Sequence, residues 1–94
     1  MKSAQVERAF DLLGRRVKDQ VTGFGGVVTS ICFDLYGCMQ ALVNPGMDEN
    51  MKFRENHWFD CNRLTFIESM PRAMEPPDFL VEHGPESKPP SDKP

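Results

Sequence analysis

The chain has 94 residues, a formal net charge of −3 and a sequence pI near 5.3, which allow one small domain and argue against non-specific nucleic-acid binding, since that needs clustered Lys and Arg on phosphate. No apolar window approaches membrane-spanning length and the opening "MKSAQVERAF" has no apolar export core. Three cysteines are an odd number for a disulfide framework, so they read as reduced thiols in a cytoplasm.

In chain order, Val6, Ala9, Phe10 and Leu13 fall at i, i+3, i+4 and i+7, which predicts a short amphipathic helix over residues 3–13. Ser3 is placed to cap it and Gly14 to end it. From Arg16 the period becomes two. Val17, Asp19 and Val21 share one side of a strand, and Arg16, Lys18 and Gln20 share the other.

"GVVTSICFDLYG" predicts a longer strand with Val27, Thr29, Ile31, Phe33 and Leu35 on its inner face. "CMQALVN" follows as a third strand with Met39, Ala41 and Val43 inward, and Asn44-Pro45-Gly46 supplies turn chemistry. "MDENMKFRENH" reads as a loop, "WFDCNRL" as one tight turn capped by Asp60, and "TFIE" as the last short strand. Phe24, Trp58, Phe59, Leu64 and Phe66 complete the expected core.

Seven of the eight prolines lie beyond residue 70, and "HGPESKPPSDKP" has no large apolar residue to offset the entropy of ordering it. The expected organisation is an N-terminal helix (1–14), a small β-barrel domain (15–70) and a Pro-rich, largely disordered tail (71–94). Within the tail, Phe79, Leu80 and Val81 form an apolar island able to dock on a neighbour. The fold class is mainly β: short antiparallel strands, glycine turns and a one-turn helix before the last strand suggest a closed or nearly closed barrel. So small a body favours self-association, with Val6, Phe10 and Leu13 as the expected contact.

Few residues carry chemistry. "TGFGG" leads into Val27-Val28-Thr29, a poor helix start, so its glycines read as a turn rather than a phosphate cradle. Cys32, Cys38, His57 and Cys61 lack the C-x-x-C spacing of a structural zinc knuckle, so the cysteines read as buried free thiols and His57 as a loop histidine before a core aromatic, with no metal or cofactor expected. His57, Asp60 and Cys61 are too close in sequence for a nucleophile–base–orienter set, so no catalytic residues and no enzyme activity are expected. Arg15, Arg16 and Lys18 form the one basic cluster. It suits an anionic ligand, with Phe24, Tyr36 or Trp58 offering a flat face.

"LGRRVKDQVTGFGGVVTS", "LYGCMQALVNP" and "WFDCNRL" together resemble a group of small bacteriophage and prophage proteins. That group carries a Val-x-Asp-x-Val-Thr-Gly-Phe-x-Gly core, a Leu-x-Gly-Cys segment and a Trp-Phe-Asp-x-x-x-Leu closing turn. The resemblance spans residues 12–67, and the pattern is also similar to small SH3-like or KOW-type barrels. It implies a phage protein in the host cytoplasm and no reaction. The expected function is therefore that of a non-enzymatic phage accessory protein acting as an oligomer. Its partner is a host or defence protein, or a small anionic nucleotide-like signal. The alternative is a structural or assembly protein of the virion or phage DNA machinery.

Overall fold

The computed structural model describes residues 4–79. Helix α1 (Ala4–Leu12) leads into five strands: β1 (Arg16–Asp19), β2 (Gly25–Phe33), β3 (Met39–Asn44), β4 (His57–Asp60) and β5 (Leu64–Phe66). A 3-10 turn, Cys61–Arg63, joins the last two. The strands form one antiparallel sheet in the order β4-β3-β2-β1-β5, with β4 and β5 as its edges. The sheet is open rather than closed. The expected Ser3 cap, Leu80, Val81 and the tail from Glu82 onward lie outside the described residues.

The helix forms as its spacing predicts, but its buried stripe is turned. Ala9 and Leu12 are fully buried and Leu13 packs against the same core, while Phe10 is 40% exposed at the flank with its ring 5.6 Å from Phe33. Gly14 stops the helix at φ +81° and donates its N–H to Val28 O at 2.8 Å, which turns the chain onto the sheet.

In β1 the alternation holds: Val17 and Asp19 face in, Arg16 and Lys18 out. Val21, expected in the core, instead lies in the following turn and is exposed. In that turn Gly23 takes φ +82° and donates to Asp19 O at 2.8 Å. Gly25 and Gly26 are strand residues paired with Lys18 and Val17. Gly26 is needed because a Cβ there would strike the carbonyl of Asn44. The glycine run is thus a turn and a close strand crossing, and it leads into a strand.

β2 departs from simple alternation. Val28 pairs with Val43 and Ser30 with Leu42, so Thr29 is an extra residue in a bulge. The bulge puts Val28 and Ile31 on the same side, opposite buried Val43 and Ala41. The expected face of Val27, Thr29, Ile31, Phe33 and Leu35 is therefore split: Val28 replaces Val27 and Thr29 in the core. β2 also ends at Phe33, which is 46% exposed. Leu35 and Tyr36 fall in the hairpin turn at 89% and 87% exposure. Asp34 builds that turn, its Oδ1 accepting from the N–H groups of Tyr36 and Cys38 at 2.9 Å each.

β3 follows expectation, with Ala41 and Val43 buried and Met39 packed beside them. Gly46 at φ +93° and the Asn44 side chain, which accepts the Gly46 N–H at 2.8 Å, make the turn that ends it. "WFDCNRL" is not one turn: His57–Asp60 is a strand paired with β3, and only Cys61–Arg63 turns. Asp60 holds the cap position without a side-chain cap bond, and instead accepts from Gln40 Nε2 at 3.3 Å. Phe59, Cys61 and Leu64 enter the core, whereas Trp58 is half-exposed on the outer face.

Candidate functional site

Two sets of charged side chains are built into this frame. The first is the fully buried carboxylate of Asp19. Arg63 Nε donates to its Oδ1 at 2.8 Å and Arg63 Nη2 to its Oδ2 at 2.7 Å. The Thr22 N–H donates to Oδ2 at 2.9 Å, and the Thr22 hydroxyl also bonds it. The Arg63 fork, helped by Thr22, holds this carboxyl far below the usual aspartate range although burial opposes it. The same pair raises Arg63. With three donors on Oδ2, one on Oδ1 and its side chain fully buried, Asp19 is a strut between the β1 turn and the 3-10 turn rather than a group open to a ligand.

The second set surrounds Phe66 at the β5 edge. Arg8 donates to Cys61 O at 3.1 Å and Leu64 O at 2.7 Å, with its guanidinium carbon 5.7 Å from the Phe66 ring centre. Arg15 stacks on that ring at 4.5 Å and is paired with Asp11 at 3.2 Å. Arg72 arrives from beyond β5, donating to Leu13 O and to Asp11 Oδ1 at 2.7 Å each. The N–H of Ala73 donates to Gly14 O at 2.7 Å, and a Cβ on Gly14 would collide with Met74 O. Residues 71–79, placed in the tail on composition, thus begin by strapping the helix end.

Arg15, Arg16 and Arg72 line one open groove of about 250 Å³ with Phe66 and Glu68. Arg15 and Arg72 are held by Asp11, while Arg16 projects outward from β1 with its guanidinium in no ion pair among the described residues. The groove therefore offers one fork-shaped donor set, pre-positioned beside two others that are fixed. Such an arrangement can accept a carboxylate or phosphate oxygen pair. A larger apolar groove of about 290 Å³ lies under Met74, Pro76 and Phe79, but its charged lining group, Glu75, is acidic.

The expected ligand residues do not all meet here. Lys18 leaves the same outer face of β1 one pair of residues along. Phe24 packs inward, its ring centre 5.3 Å from those of Phe59 and His57. Tyr36 stands on the β2–β3 turn. Trp58 lies on β4, separated from β1 by β2 and β3, on the order of 14 Å at ordinary strand spacing. Arg72 was not visible as a partner in the sequence: it meets Asp11 across 61 residues, with no motif linking the two. Asp19 did leave a trace, as an acid at an inward strand position.

The thiols are also placed differently from expectation. Cys32 and Cys38 are exposed, and only Cys61 is buried. Asp34 beside Cys38, and burial around Cys61, push both thiols up, against thiolate chemistry. Among the described residues no three His, Cys, Asp or Glu side chains gather as a metal site, and no helix is long and apolar enough to cross a membrane. Comparison with protein-family models, curated proteins and solved structures finds no match to this chain.

Proposed function

We propose that this chain is a non-enzymatic binding protein of the phage-accessory kind, acting in the host cytoplasm, and that it captures a small anionic, nucleotide-like ligand. The observation that carries the reading is the convergence of Arg15, Arg16 and Arg72 on one groove of an otherwise acidic chain. Arg16 is the ligand's principal donor; Arg15 and Arg72, already neutralised in part by Asp11, set its surroundings. The SH3-like barrel belongs to the same reading. A central β1 flanked by β2 and β5, a bulged long β2 and a 3-10 turn before β5 support it.

Calorimetric titration with pyrophosphate and a panel of linear and cyclic nucleotides tests the proposal. One of these ligands binds the native chain, and Arg16→Ala weakens it by roughly 1.5–3 kcal/mol, the worth of a charged hydrogen bond. Binding that persists unchanged in Arg16→Ala removes the groove as the site. No heat with any member of the panel, alongside co-purification of a host protein, favours a protein-docking surface. No heat alongside co-purification with virion components favours the structural or assembly role.

A further inference from the structure

The two sheet edges are finished differently. At β5 the Arg8 guanidinium ties down the carbonyls of Cys61 and Leu64. The β4 edge is longer than β4 itself. Its register with β3, from Gln40↔Asp60 to Val43↔His57, continues through Arg54 N–H to Gly46 O at 2.9 Å and the Met47↔Phe53 bridge. Residues 53–60 thus lie along one edge, with Phe53 84% and Trp58 48% exposed. In an antiparallel ladder, successive residues turn their backbone groups to opposite sides. Since Arg54 turns toward Gly46, the N–H and C=O groups of Phe53, Glu55, His57 and Phe59 turn toward the open side.

We propose that this edge pairs antiparallel with the same edge of a second copy, about a twofold axis through Asn56. The stretch Lys52-Phe53-Arg54-Glu55-Asn56-His57-Trp58-Phe59-Asp60 is chemically self-complementary when read against itself. In that register Lys52 faces the partner's Asp60, Phe53 the partner's Phe59, Arg54 the partner's Trp58 and Glu55 the partner's His57. Asn56 meets its own copy on the axis. The pairs are, in turn, opposite charges, the exposed Phe53 ring beside the edge of the core ring Phe59, a cation over an indole, and a carboxylate beside an imidazole.

Twofold symmetry makes each of these pairs occur twice. The register also sets Phe53, Glu55, His57 and Phe59 against one another, so the backbone groups facing the open side meet. Moving the axis to His57 puts Glu55 against the partner's Phe59. Moving it to Trp58 puts Glu55 against the partner's Cys61. Both lose the carboxylate–imidazole and cation–indole pairs. The result joins two five-stranded sheets into one continuous sheet and leaves the arginine groove, at the opposite edge, open.

Charge reversal at the exposed ends of the edge tests this. Native mass spectrometry and sedimentation at micromolar concentration compare the native chain, Lys52→Asp, Asp60→Lys and an equimolar mixture of the two variants. Circular dichroism of each confirms the fold. The native chain is dimeric. Each variant weakens self-association at least about tenfold, because two like-charged pairs now oppose each other. The mixture regains dimers, because every end pair again joins opposite charges. Trp58→Ala, which leaves the charges alone, weakens the dimer as well. A monomeric native chain, variants that dimerise as the native chain does, or a mixture that fails to recover overturns the proposal.

Discussion

Asp19 is an acid in the interior, and Leu35 and Tyr36 are apolar or aromatic residues almost wholly in solvent. Hydropathy alone would exchange them. Asp19 is tolerated inside because four donor atoms, two from Arg63 and two from Thr22, fill its two oxygens. Leu35 and Tyr36 are outside because the Asp34 carboxylate captures two backbone N–H groups and closes the turn just past Phe33. In both regions a short side chain that completes backbone or guanidinium hydrogen bonds decides burial, and the apolar residues follow.

The comparison breaks most sharply at Asp19. Asp19→Asn leaves the Arg63 fork facing a neutral amide in a buried setting, and thermal unfolding should fall by about 10 °C or more. The same residue sets a pH dependence. Its folded carboxyl titrates below its unfolded one, so its contribution is complete above the usual aspartate range, near pH 4, and is lost as pH falls below that. Denaturant midpoints measured downward from about pH 5 should decline in the native chain and decline less in Asp19→Asn. An equal decline in both would assign acid sensitivity to other carboxylates.

At the opposite end of the comparison, Phe33 closes the tip of β2 against Phe10 while nearly half exposed. Phe33→Ala should cost about 1–2 kcal/mol, well below the value for a fully buried ring. A denaturant-derived loss above that range would mean that a partner surface buries the ring in solution. Leu35→Ser and Tyr36→Ser should each move stability by no more than about 0.5 kcal/mol. A larger loss from either would show that the turn tip is covered after all.

Local signals in the chain determine the structure that forms within a few residues of them. The helix, the alternation of β1 and β3, the stop at Gly14 and the Asn44-Pro45-Gly46 turn all follow from backbone preferences within a few residues. Basic character at Arg15 and Arg16 was equally plain. What the sequence left open depends on partners far along the chain. The Thr29 bulge, which exchanges Val27 for Val28 in the core, is set by pairing with β3. The Asp19–Arg63 fork spans 44 residues and the Arg72–Asp11 bond 61. Neither has a periodicity to betray it, because the two ends meet only when β5 lies down beside β1. Propensity and period are properties of a segment. Which charge meets which, and which edge stays open, are properties of the assembled sheet, and only the tertiary structure could decide them.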